Sequence, residues 1–150
     1  MASHNLYREQ LVPRPLGDVF GFFAEAANLE LITPPWLGFR LVGSEPVEMR
    51  SGALIEYRLR LHRLPLRWVS RIALWEPGRT FVDVQVRGPY RIWRHRHEFE
   101  HAGRGTVVRD HVEYALPLGP LGGVAHVGFV ERDLARIFDY RRAAVARLLA

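Results

Sequence analysis

Trp93-Arg94-His95-Arg96-His97-Glu98-Phe99-Glu100 alternates without a break: aromatic rings and imidazoles at the odd positions, charges at the even ones. A period of two marks an extended strand, because successive side chains of a strand point to opposite faces. Four more stretches repeat the pattern. Val108, Asp110, Val112 and Tyr114 alternate with Arg109, His111 and Glu113; Trp68, Ser70, Ile72 and Leu74 with Arg67, Val69, Arg71 and Ala73; Ala53 through Leu61 with Glu56, Arg58 and Arg60; and Thr80–Val86 carries alternation of unclear parity. Leu64-Pro65, Pro77-Gly78, Gly88-Pro89 and Gly103–Gly105 separate them with turn chemistry. Strands joined so tightly must be antiparallel, since a parallel crossover needs a dozen or more residues. The region from Trp36 to Leu116 therefore reads as a meander with one buried face.

Helical spacing brackets this meander. A short strand, Leu6–Val12, stops at Pro13. Leu16, Val19, Phe20, Phe23 and Ala27 then share a helical stripe that opens after Pro15, where a missing N–H costs nothing. A second short helix, Asn28–Thr33, must end before Pro34-Pro35. Beyond the glycine-rich Gly119–Gly123 run, Val127, Val130, Leu134, Ile137, Phe138, Val145 and Leu148 form a broad apolar stripe. Asp133/Arg136 and Asp139/Arg142 stand at i,i+3 spacing and are expected to pair on its outer face. The Gly119–Gly123 run lacks the strand-then-helix setting of a phosphate loop.

Composition narrows the class. The chain has 150 residues, 48% hydrophobic and 25% charged, which fits one globular domain over 1–150 and excludes disordered and fibrous classes. It has no cysteine, so disulfides, thiolate metal sites and thiol nucleophiles are excluded. No apolar run reaches the length of a membrane span and no basic-then-apolar leader opens the chain, so a cytoplasmic protein is expected. The net charge is +5 and every one of the 21 cations is arginine. These arginines are dispersed among Glu and Asp, so a salt-bridged outer face is expected and nucleic acid is not.

The element order and several motifs resemble the helix-grip superfamily, abbreviated SRPBCC. It includes START lipid-transfer domains, the birch-pollen allergen, coenzyme Q-binding proteins and polyketide cyclase/dehydrase-like proteins. Val19-Phe20-Gly21-Phe22-Phe23-Ala24-Glu25-Ala26-Ala27-Asn28-Leu29 is similar to its first-helix pattern. Phe81-Val82-Asp83-Val84-Gln85 through Gly88-Pro89-Tyr90 to Trp93, His95, His97 and Phe99, with Asp110 to Tyr114 and Pro117, resembles a bacterial ligand-binding subfamily. The resemblance spans essentially the whole chain. It implies an α+β fold: a curved antiparallel sheet of seven strands wrapped around a long C-terminal helix, with two short helices after the first strand. It also implies that Asp83 and Gln85 face inward.

The inward set then contains Tyr57, Trp68, Ser70, Asp83, Gln85, Trp93, His95, His97, Asp110 and Tyr114. A packed core seldom holds so many polar groups, since each unpaired one costs about 1–3 kcal/mol. A few polar groups on aromatic walls are the usual make-up of a small-molecule pocket. The expectation is a carrier or receptor for a small, largely hydrophobic ligand (lipid, isoprenoid or quinone, or polyketide-like), with these ten residues around it. A cyclase or dehydratase using a His/Asp pair as acid and base is the alternative. His95, His97 and Asp110 also raise metal binding, but a third ligand at recognisable spacing is missing, so neither metal nor cofactor is expected. Stable membrane insertion is not expected either, while homodimerisation through an exposed face stays open. The Thr33–Phe39 segment reads as a lid or as a rigid connection.

Overall fold

The computed structural model describes residues 3–43, 46–117 and 124–150. The Gly119–Gly123 run and the side chain of Val127 lie outside the described residues. The chain begins with strand β1 (His4–Val12), helix α1 (Leu16–Phe23), a single 3₁₀ turn (Ala26–Asn28) and the short helix α2 (Leu29–Ile32). Pro34, buried and extended, ends α2 and opens a 3₁₀ turn at Pro35–Leu37. Polar side chains cap the orphaned carbonyls of this region: Asn28 Nδ2 donates to Phe22 O at 2.9 Å, and Thr33 Oγ1 to Leu29 O at 2.6 Å.

Six strands follow: β2 (Arg40–Leu41), β3 (Leu54–Leu61), β4 (Leu64–Glu76), β5 (Thr80–Arg87), β6 (Ile92–Ala102) and β7 (Gly105–Ala115). Every neighbouring pair is antiparallel, in the order β1-β7-β6-β5-β4-β3-β2. β7 lies so close to β1 that a Cβ on Gly105 would stand 2.5 Å from the Val12 carbonyl oxygen, so only glycine fits there. Register shifts within β4, at Val69/Ser70 and Ile72/Leu74, bend the sheet and settle the parity of β5. Phe81 pairs across with His97, and Asp83 with His95.

The sheet curls around helix α3 (Val124–Leu148), whose Leu134, Phe138, Ala144 and Val145 are buried against it. The architecture is the α+β helix-grip fold that the resemblance implies. The i,i+3 pairs expected on α3 are absent among the described residues, because other elements offer closer partners. Asp139 accepts from Arg8 of β1 at 2.6 Å, and Arg142 donates to the Glu9 carbonyl at 2.6 Å. Asp133 instead faces His62 at 3.4 Å, and the Arg136 guanidinium lies 5.1 Å from the centre of the Trp36 ring. His62 sits at the tip of the β3–β4 hairpin, where it and Arg63 adopt positive φ (49° and 72°), and its ring packs 4.8 Å from Phe129. The hairpin tip is thereby fastened to α3.

The convex face is salt-bridged as expected, unevenly. Arg67 binds Glu56 through two bonds, at 2.7 and 2.9 Å, and Arg109 bridges Glu9 and Glu100. Water screens exposed pairs of this kind, so they add little to stability. No described helix is long and apolar enough to cross a membrane.

Candidate functional site

A cavity of about 180 Å³ lies between the concave face of the sheet and α3. Seven of the ten residues expected inside line it: Tyr57, Trp68, Ser70, Asp83, Trp93, His95 and His97. β3 and β4 deliver Tyr57 opposite Trp68, so the two rings stand side by side on the wall. Trp68 is held in place because its indole N–H donates to Ser70 Oγ at 2.9 Å, and Trp93 meets it edge-on at 5.2 Å between ring centres. α3 closes the far side with Leu134, Ile137 and Phe138. The Thr33–Phe39 connection contributes Thr33, Leu37 and Phe39, and its exposed Trp36 packs edge-on against Tyr140 of α3.

The other three stand elsewhere. Gln85 turns to its own hairpin: its Nε2 donates to Tyr90 O at 2.7 Å, and its Oε1 accepts the Tyr90 N–H at 3.0 Å. That clamp holds Gly88-Pro89-Tyr90 so that Pro89 and Tyr90 join the wall. Tyr114 is buried in the cluster of Val112, Leu134 and Phe138. Asp110 sits behind the histidines, away from the cavity.

The polar side of the cavity is a chain of four ionisable groups and a guanidinium. His97 and His95 stack with ring centres 3.7 Å apart, and Phe81 stacks on the other face of His97 at 4.0 Å. His97 Nε2 lies 2.7 Å from Asp83 Oδ2, and His95 Nε2 lies 2.7 Å from Asp110 Oδ1. Asp110 also accepts from Arg141 Nη2 at 3.2 Å. Burial alone would raise both carboxyls. For Asp83 the His97 bond and the charges of His95 and Arg141 outweigh it; for Asp110 the Arg141 charge and the His95 bond do, so both stay below the usual carboxylate range. Burial and the neighbouring His95 push His97 down to about 4, against the pull of Asp83.

Ionised carboxylates only accept, so each Nε2 carries a proton, and in a neutral ring Nδ1 then holds the lone pair. His97 Nδ1 is enclosed without a hydrogen-bond partner, 3.6 Å from Asp110 Oδ1. His95 Nδ1 has no partner among the described residues, and its ring lines the cavity. Asp83, His95 and His97 bring three ligand-type atoms within 4.8 Å of one another. The face-to-face stacking of the two rings keeps their lone pairs from converging on one point, which suits hydrogen bonding better than a tetrahedral ion.

Arg141 escaped the sequence reading. Its side chain is 12% exposed, lines the cavity, and lays its guanidinium over Phe23 and Phe138 at 5.2 and 5.7 Å. The available signal was its place on the apolar stripe, three residues after Phe138 and four before Val145.

Comparison with known proteins agrees with this geometry. Over 99% of its length the chain is similar to the Zhui aromatase/cyclase from Streptomyces sp. R1128, with a TM-score of 0.78, 15% identity and 94% of that chain covered. The di-domain ARO/CYC StfQ of the steffimycin biosynthetic pathway is similar with a TM-score of 0.72 and 14% identity, over 98% of this chain and half (50%) of that one. Major latex-like protein 151 from Panax ginseng gives a TM-score of 0.69 at 9% identity, over 99% and 98% of the two chains. At these identities the likeness is one of fold. No curated protein sequence matches. A family model described as "Polyketide cyclase / dehydrase and lipid transport" matches residues 12–138, and with a helix-grip fold built around an internal cavity, the chain belongs to that family, within the SRPBCC superfamily.

Proposed function

We propose that this protein binds or carries a small, largely hydrophobic molecule in the cavity between its sheet and α3. The observation that carries the reading is the cavity itself: apolar and aromatic walls, with Asp83, His95, His97 and Arg141 gathered on one side. Its size selects among ligands. An apolar cavity of roughly 150 Å³ admits benzene, whereas pockets for drug-sized ligands run from about 300 Å³ upward. At about 180 Å³, a compound of one or two rings fits without rearrangement, and a long acyl or isoprenoid chain exceeds the cavity. Mass spectrometry of the purified protein, native and then denatured, is expected to reveal a discrete mass lost on denaturation. Trp68 and Trp93 supply an independent readout, since a bound ring alters their fluorescence. A bare protein whose fluorescence ignores a panel of small aromatic compounds would overturn the proposal.

A second reading, a cyclase or dehydratase, rests on one specific feature. Asp110 fixes His95 in the tautomer whose Nδ1 lone pair is free at the cavity wall, the arrangement a general base requires. If it holds, His95→Gln lowers turnover of a cyclising substrate about 100-fold, the lower edge for losing such a base, and leaves its binding intact. Equal loss of binding and turnover would return His95 to a purely structural role.

A further inference from the structure

Asp83 is the only carboxylate among the described residues on the cavity wall, and no guanidinium there bonds to it directly. Its side chain keeps 19% of its surface, and because it points inward that surface belongs to the cavity. Among the described residues its one hydrogen-bond partner is His97, which burial holds neutral. The only guanidinium in the site, that of Arg141, is committed to Asp110. Of the two carboxylates, Asp110 holds the guanidinium and Asp83 stands beside aromatic rings without a directly bonded guanidinium. Tyr57 registers that charge: burial first, and then Asp83, push its phenol up. A buried charge without a counter-charge is costly, and proteins ordinarily pair it. Here a cationic ligand would supply the direct ion pair that Asp83 lacks among the described residues.

We infer that the cavity takes a small aromatic ligand with a protonated amine, the ammonium placed at Asp83 and the ring among Tyr57, Trp68, Tyr90 and Trp93. The inference rests on the proposed ligand binding and names the ligand class. An ammonium donates to the carboxylate in a charge-assisted bond, roughly twice as strong as a neutral one. It is also attracted to the faces of Trp and Tyr rings, and Tyr90 and Trp93 stand 4.8 Å apart at this wall. A divalent ion would answer the same charge. The stacked rings, however, keep the two Nδ1 lone pairs from converging on one ion.

The test is a calorimetric titration of the intact protein at neutral pH with three probes on one phenethyl frame: phenethylamine, 2-phenylethanol and 3-phenylpropionate. Phenethylamine is expected to bind about tenfold more tightly than the alcohol or better, and the carboxylate most weakly. Asp83→Asn is expected to erase the advantage of the amine while sparing the alcohol. The wild-type series stands alone if that variant does not fold. Equal affinity of amine and alcohol, or tightest binding of the carboxylate, overturns the charge preference and leaves the cavity reading intact. Binding of zinc with no binding of the amine overturns it in favour of a metal. No binding of any of the three probes overturns this inference, and the proposed function falls with it only where the purified protein also carries no ligand mass.

Discussion

Arg141→Met is expected to destabilise the protein by about 3–5 kcal/mol, although it removes no apolar surface. Methionine keeps most of the stem that packs on Phe23 and Phe138. What it removes is the counter-charge of Asp110, a buried carboxylate 3.2 Å from the guanidinium. Breaking a buried pair from one side leaves an uncompensated charge, and that penalty exceeds what forming the pair contributed. His95 remains 2.7 Å away as a donor, and that one hydrogen bond does not make up for the lost guanidinium. Adding Asp110→Asn should therefore recover at least half of the loss, since the stranded charge is then gone. Urea midpoints at unchanged m-value measure both variants. A loss below about 1 kcal/mol for Arg141→Met would mean that the pair does not hold α3 to the sheet.

The alternation around His95 and His97 disclosed the fold because period two is a local property, visible within one strand. The same locality put Tyr57, Trp68, Ser70, Trp93, His95 and His97 on the concave face correctly. It failed where neighbours in space decide. Gln85, whose parity the alternation left open and which the resemblance placed inward, lies on the edge of a bulged register, and nothing in its flanking residues says that its amide will close on Tyr90. Asp110 has the right parity, yet the curl of the sheet leaves it behind the histidines. On α3, Asp133 and Asp139 have arginines at i+3, and exposed helix pairs stabilise by only a few tenths of a kcal/mol. Partners on the β3–β4 turn and on β1 displaced them. The volume of the cavity depends on the bulges of β4, whose positions leave no mark in composition or periodicity.

Acid is expected to weaken the fold in a window set by His97. In the unfolded chain a histidine titrates near 6.5. In the folded protein burial and His95 bring His97 down to about 4, while Asp83 at 2.7 Å and Asp110 at 3.6 Å face it from the two sides. Between these values the unfolded chain binds a proton that the folded one refuses, so stability falls as the pH falls. Each pH unit costs up to about 1.4 kcal/mol, and the window as a whole about 3 kcal/mol. Above 6.5 both states leave His97 neutral, and this residue contributes no slope. Below about 4 the loss continues by a different route. Asp83 and Asp110 sit lower than usual in the folded protein, so protonation now favours the unfolded carboxylates. His97→Gln separates the two ranges: its amide can still donate to Asp83, but it cannot titrate. Urea midpoints of the variant should lose their slope from pH 6.5 to 4 and keep the decline below it. A wild-type protein equally stable at pH 7 and pH 4.5 would show instead that the buried imidazole accepts its proton between the two carboxylates without cost.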